Sequence, residues 1–359
     1  MRSGVRGGQA HNAPDNAPHC TPRSTPEMKI VVIGAGAWGT ALAIALCEKH
    51  RVNLWGRDTA QLAEAAQQRV NARALPGVIL PTALTIETNF SRALDGADFA
   101  LIATTTSGLG EVARAVHAQQ PQLPIIWACK GFDRATGKLP HETVAAILRN
   151  DTQGSAAQYG VLSGPSFAME VAQGLPTALT LACNDNAFAQ TLAAQLNGSR
   201  LRVYYNADLL GVELGGALKN VMAIAVGISD GMHLGLNARA ALITRGLAEM
   251  MRLGVAMGGK AETFTGLTGL GDLVLTATGN LSRNRTVGLR LAEGCPLAEI
   301  LAELGHVAEG VNSAETTRAL ALKYAVDMPI TAAVCDILFH GADARASVQR
   351  LLSREAKAE

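Results

Sequence analysis

What the chain lacks narrows its function first. Its six cysteines, at 20, 47, 129, 183, 295 and 335, are scattered and form no C-x-x-C, so neither a zinc knuckle nor a redox dithiol is indicated. The eight histidines form no ligand cluster. His141-Glu142 begins an H-E pair, but Ala145 stands where H-E-x-x-H needs its second histidine, and no metal is expected. Gly137-Lys138 has the ending of a P-loop, yet Leu139 follows it and Gly131 lies one residue too far upstream. An excess of one charge is also missing. The formal net charge is +1 and no segment is strongly basic, which excludes the electrostatic footprint of a nucleic-acid binder. No uncharged apolar run approaches the length of a membrane span, so no membrane insertion is expected.

Residues 1–27 are polar, contain Pro14, Pro18, Pro22 and Pro26, and lack the apolar core of a secretory signal. The prolines also argue against an amphipathic transit helix. A disordered tail is the expectation, with the cytoplasm as the compartment.

A chain of 359 residues carries a prior of two domains. Its organising stretch runs from Lys29 to Asp58. Ile30-Val31-Val32-Ile33 has the length and β-branched content of a buried parallel strand. Gly34-Ala35-Gly36-Ala37-Trp38-Gly39 follows as a G-x-G-x-x-G. Thr40 to Glu48 reads as a helix, and Val52 to Trp55 as a second strand. The fingerprint alone is weak, but strand, helix and second strand supply the context that confirms it. Gly34 permits the tight turn, Gly36 lets the backbone approach a pyrophosphate, and Gly39 lets helix and strand pack closely. After the second strand comes Gly56-Arg57-Asp58. Arg57 favours the 2′-phosphate of NADP(H); Asp58 keeps NAD(H) open, or serves only to cap the next helix.

Further strands are expected at Phe99–Thr104, Pro124–Cys129, Tyr159–Leu162, Thr177–Ala182 and Leu201–Tyr205, with helices between them. Repeated βα alternation implies a Rossmann-like, mostly parallel, doubly wound α/β sheet. Ligands bind beyond the carboxyl ends of such strands, where Lys130 and Ser163-Gly164-Pro165-Ser166 fall. After Asn206 strand signals stop, and helical segments run to the end, roughly 208–229, 237–256, 282–293, 297–304, 311–325, 331–340 and 343–352. The expected domains are therefore 28–206, dinucleotide-binding, and 207–359, all-helical and catalytic.

Chemistry gathers in the helical half. Between Leu214 and Ile228 only Lys219 and Asn220 are polar. An unpaired ammonium there is costly, so Lys219 needs a carboxylate or a ligand. Desolvation also lowers a lysine pKa, which suits acid/base work. The competing reading is a lysine that snorkels to the rim. Asp272 closes a glycine-rich loop, either as a partner or as an ordinary helix cap. Ser282-Arg283-Asn284 opens a helix, which suits phosphate, or else simple capping.

GAGAWGTALA at 34–43, CKGF at 129–132, SGPSFAMEV at 163–171, GGALKNVMAIAVGISDG at 215–231, NARAALITRGLAEM at 237–250, TGLGDLVLT at 268–276 and SRNR at 282–285 together resemble the NAD(P)-dependent glycerol-3-phosphate dehydrogenases of bacterial type. The likeness runs from about 28 to 340. It implies NAD(P)H reduction of dihydroxyacetone phosphate to sn-glycerol 3-phosphate, for phospholipid synthesis. It implies Lys219 as proton donor, and Lys130, Gly164, Ser166, Asp272, Ser282, Arg283 and Asn284 as substrate contacts. Ala37, Trp38, Arg57, Lys130, Ala168, Arg283, Val307 and Glu309 match the family's cofactor contacts. The expected partner is a small phosphorylated molecule, with a homodimer left open. Two departures stand out. The family's usual proline is absent from Thr104-Thr105-Thr106-Ser107, and Arg57 stands where histidine is frequent. The competing functions are a β-hydroxyacid dehydrogenase of the 6-phosphogluconate or 3-hydroxyisobutyrate type, and a non-catalytic NAD(P)-binding sensor.

Overall fold

The computed structural model describes Met1 and residues 27–149, 157–305 and 308–353. The expected tail therefore lies almost wholly outside the described residues, as does Val307. Eight strands form one sheet: β1 Lys29–Ile33, β2 Arg51–Trp55, β3 Thr85–Ile86, β4 Phe99–Ile102, β5 Ile125–Trp127, β6 Tyr159–Ser163, β7 Thr177–Cys183 and β8 Leu201–Tyr205. Their order is β3-β2-β1-β4-β5-β6-β7-β8. The six strands from β3 to β6 are parallel, so the doubly wound reading holds, with its switch point between β1 and β4. Their carboxyl ends align: Ile33 pairs with Trp55 and Ile102, and Ile102 with Trp127.

The alternation in β1 explains the layers. Ile30 and Val32 enter the apolar cluster on one face, and Val31 and Ile33 the cluster on the other. Both faces are covered by helices, which is why the strand is apolar throughout. The structure departs from expectation in three places. β6 and β7 are antiparallel, because the connection from Ser163 to Thr177 stays at the carboxyl end and never crosses the sheet. β3 has only two residues, too few for a periodic signal. The first helix spans Ala37–Leu46, starting three residues before Thr40, so the second half of the fingerprint is already helical.

Strands end at Tyr205 among the described residues, and helices run from Leu209 onwards. The central helix, Leu209–Gly231, is buried from Gly211 through Ser229. By length and composition it could cross a membrane, but 89% of its apolar stretch is buried inside the protein, as in a core helix. Asp208 starts it: its carboxylate accepts from Gly211 N at 2.8 Å, and also from Lys260 N and Thr263 Oγ1 at 2.8 Å.

Helix Pro329–Phe339 is capped from a distance. Glu249, 1% exposed in helix Gly235–Ala256, accepts from Ile330 N at 2.6 Å and from Thr331 N and Oγ1 at 3.1 Å. Burial pushes its carboxyl up to about 7, against the smaller pull of those donors. The folded carboxyl thus holds its proton more tightly than the unfolded one, whose ordinary value is 4.5. Stability is then full below about 4.5 and is lost as pH rises through about 7. Glu249→Gln keeps an acceptor and cannot ionise. Denaturant unfolding of the wild type is expected to lose roughly 3 kcal/mol more than the variant between pH 4.5 and 8. Equal pH slopes would show that Glu249 is not the group that titrates.

Candidate active site

The fingerprint folds as its glycines require. Gly34 adopts φ +122°, and its N–H donates to Trp55 O at 2.7 Å, which closes the turn onto β2. A Cβ on Gly39 would stand 1.9 Å from Gly34 O. Gly36 differs: a Cβ there would meet no protein atom within 4 Å, so the space it leaves faces outward. The helix it precedes has no side-chain cap, and its first N–H groups stay open. Bare backbone and open donors fit a dinucleotide pyrophosphate. Ala37, Trp38 and Ala168 pack together against the same apolar layer, with Trp38 half-buried beside this turn.

Beyond β2, Arg57 is exposed and makes no ion pair with any described residue. Asp58 is occupied. It caps helix Thr59–Gln68 through Gln61 N at 2.9 Å and pairs with Arg73 at 3.3 Å. Thr105, at the position of the missing proline, holds φ −67°, the angle a proline would impose. Its backbone is therefore one that a proline could also adopt.

The charged cluster lies where the carboxyl ends of β5 and β6 meet the central helix. Asp272, 1% exposed, opens helix Asp272–Thr278 just after a π-helical turn, Leu267–Gly271. Its Oδ2 accepts from Lys130 Nζ at 2.5 Å and its Oδ1 from Lys219 Nζ at 2.9 Å. It makes no capping bond, so the cap reading is set aside. Lys219 is 6% exposed and donates to Thr276 Oγ1 at 2.7 Å, so it does not snorkel. Lys130 also donates to Gly164 O at 2.9 Å, the carbonyl that Ser166 Oγ meets at 3.1 Å. Burial lowers the Lys219 pKa, more than Asp272 restores it, and Lys130 lowers it further. Burial alone would raise the Asp272 carboxyl; the two ammoniums outweigh it and hold it below the usual range. Burial raises the Glu309 carboxyl at the start of helix Glu309–Lys323, while the charges of Arg283, Lys219 and Lys130 pull it back.

The two arginines of SRNR separate. Arg285 pairs with Asp230 at 2.7 Å, and Asp230 also takes Arg239 at 2.8 Å. Arg283 is exposed and makes no ion pair with any described residue. Ser282 caps helix Arg283–Ala292 by accepting from Arg285 N at 3.2 Å, so the capping reading holds for it. Asn284 is buried, donating to Asn220 Oδ1 at 2.8 Å and accepting from Gly310 N at 2.9 Å. It joins three helices. Thr276 and this use of Asn220 were missed. Thr276 stands four residues after Asp272, the helical spacing that puts two side chains on one face, and that signal was available. Among the described residues no group of three or more His, Cys, Asp or Glu is set to hold a metal.

A pyrophosphate-shaped turn beside a buried lysine–carboxylate pair defines a dinucleotide-dependent dehydrogenase of two-domain type. Comparisons narrow this. Family models described as the N-terminus and the C-terminus of NAD-dependent glycerol-3-phosphate dehydrogenase match residues 29–189 and 208–349. The chain is 56% identical over 333 residues to glycerol-3-phosphate dehydrogenase (NAD(P)+) of Thiobacillus denitrificans, covering 92% of this chain and 100% of that protein. The same enzyme of Aromatoleum aromaticum is 55% identical over 334 residues, covering 92% and 100%. The crystal structure of glycerol-3-phosphate dehydrogenase from Coxiella burnetii superposes with a TM-score of 0.84 at 44% identity, covering 91% of this chain and 99% of that one. The chain belongs to the NAD-dependent glycerol-3-phosphate dehydrogenase family.

Asp272→Asn tests the cluster without changing its shape. A buried and a partly buried ammonium are then left facing a neutral amide, and a loss of about 3–5 kcal/mol in unfolding free energy is expected at pH 7. The Lys219 pKa falls further in the folded variant, so the folded state binds fewer protons and its deficit shrinks towards pH 9. A loss below about 1 kcal/mol, or one independent of pH, would show that Asp272 does not hold the pair together.

Proposed function

We propose that this chain catalyses the NAD(P)H-dependent, reversible reduction of dihydroxyacetone phosphate to sn-glycerol 3-phosphate. The observation that carries the reading is Lys219, an ammonium buried in an apolar helix and aimed by Asp272 and Thr276. In this reading residues 28–206 hold the cofactor and 207–359 the catalytic lysine. The bound nicotinamide supplies the hydride. The protein must then stabilise the alkoxide that grows on the substrate oxygen and protonate it. Lys219 does both: its charge faces the developing oxyanion and its Nζ–H is transferred, and in the reverse direction it takes the proton back. Its lowered pKa eases the donation. Asp272 keeps the ammonium in place, and Lys130 spans β5 and the helical half beside it. Arg283, exposed at a helix start, receives the phosphate with Ser282 and Asn284 nearby, so binding energy remote from the carbonyl orients it. Gly164 and Ser166 border the same space. Arg57 meets the 2′-phosphate of NADP(H), with NAD(H) as the weaker cofactor, and Glu309 lines the cofactor's side. The product serves glycerophospholipid synthesis in the cytoplasm.

Two measurements test this. Lys219→Met keeps the stem and removes the charge. Its kcat for dihydroxyacetone phosphate is expected to fall by roughly 10²–10⁴ with NADPH binding retained. A stable, NADPH-binding variant with near-normal kcat would remove Lys219 from the mechanism. Arg57→Ala is expected to weaken NADPH by about 1.5–3 kcal/mol more than NADH, in fluorescence titrations of both. Equal losses would end the assignment of Arg57 to the 2′-phosphate.

A further inference from the structure

Lys130 reaches Asp272 by a confined route. Its stem runs from the end of β5 between the central helix and the last residue of β6, Ser163. On the helix side the wall is Gly216, one turn before Lys219. A Cβ on Gly216 would stand 3.4 Å from Lys130 Cγ, 3.5 Å from Cδ, and 3.2 Å from Ser163 Oγ. That is tighter than ordinary packing on one side and at its limit on the other. Ser163 is 2% exposed, and its hydroxyl has no hydrogen-bond partner among the described residues. Nothing polar therefore ties that wall, and the channel is held open by the bare backbone of Gly216. The neighbouring Gly215 faces elsewhere: a Cβ there would stand 2.6 Å from Thr268 O, the backbone of the π-helical turn. Its bareness serves backbone packing, whereas that of Gly216 serves a charged side chain.

We propose that Gly216 is a positioning residue of the active site, whose missing side chain seats the Lys130 stem and thereby sets Lys130 Nζ on Asp272. The consequence for catalysis rests on the function proposed above; the geometric part does not. Lys130 Nζ has two acceptors, Gly164 O at 2.9 Å and Asp272 Oδ2 at 2.5 Å, one on the sheet domain and one on the helical half. A stem pushed sideways cannot keep both. Asp272 then answers to Lys219 alone, and the geometry of the proton donor changes with it. The other charges facing this cluster are Glu309 and Arg283, and neither is among the three atoms nearest a Cβ on Gly216.

The test uses the full chain and three variants: Gly216→Ala, Ser163→Ala and the double variant. The added methyl contacts flexible atoms rather than backbone, so Gly216→Ala is expected to fold with a Tm near the wild type. Crystal structures should show the Lys130 Nζ–Asp272 separation lengthened by several tenths of an ångström. In NADPH oxidation with dihydroxyacetone phosphate, kcat should fall about tenfold, in line with the sensitivity of positioned groups to sub-ångström shifts. Removing the untied hydroxyl gives the new methyl somewhere to go, so the double variant should regain the separation and most of kcat. Ser163→Ala alone should match the wild type. An unchanged Lys130–Asp272 separation in Gly216→Ala overturns the inference, as does a kcat loss that Ser163→Ala fails to relieve. A wild type inert towards dihydroxyacetone phosphate would overturn the proposed function instead, while the crystallographic arm would still decide the role of Gly216.

Discussion

One buried carboxylate organises the rest. Asp272 accepts two ammoniums, from Lys130 at 2.5 Å and Lys219 at 2.9 Å, in a place where an isolated charge of either sign is expensive. Its charge offsets part of what burial costs the Lys219 ammonium, and the two ammoniums in turn hold its carboxyl below the usual range. The three groups come from three elements: the end of β5, the middle of the central helix and the first turn of Asp272–Thr278. The cluster is thus a junction between sheet and helices. A change that loosens the packing of either half must act on the charges, and the reverse holds too.

The central helix breaks local rules to make this possible. Glycine is a poor helix former, by about 1 kcal/mol relative to alanine, yet two stand side by side at Gly215 and Gly216. Lysine and asparagine stand in its most apolar stretch, at Lys219 and Asn220. Each exception answers to a particular neighbour. Gly215 admits the turn before Asp272, Lys219 meets Asp272 and Thr276, and Asn220 meets Asn284. Departures from propensity concentrated on one helix mark a functional site more clearly than any single residue does.

Much of this was legible in the sequence, and the rest was hidden for definite reasons. The fingerprint was readable because turn, helix and strand lie within one local unit. Lys219 was readable because burial makes a lone cation conspicuous. Local pattern could not supply the partner of Lys219, since Asp272 lies 53 residues away and is brought in by tertiary packing. The same holds for Arg283 and Arg285, identical residues two positions apart. The location of Asp230 decides that Arg285 is tied, while Arg283 makes no ion pair with any described residue. β3 was invisible because two residues have no period, and the direction of β7 depends on where its connection runs. Ser282 illustrates a further limit: a capping serine and a ligand-binding serine share one sequence context, and only the structure shows its capping bond to Arg285 N.

A second anchor fixes the central helix along its own axis. Glu213, buried six residues before Lys219, accepts from Trp127 Nε1 at 3.0 Å and from His141 N at 3.0 Å, and its carboxylate also meets His141 Nδ1. Trp127 ends β5, and Lys130 follows three residues later. The strand end therefore grips the helix twice, through Trp127 at Glu213 and through Lys130 and Asp272 at Lys219. One grip alone would allow the helix to slide or rotate about it. With two, a shift of one residue along the axis would break a buried hydrogen bond to a carboxylate at both points. Trp127 and Glu213 thereby set where along the sheet Lys219 sits.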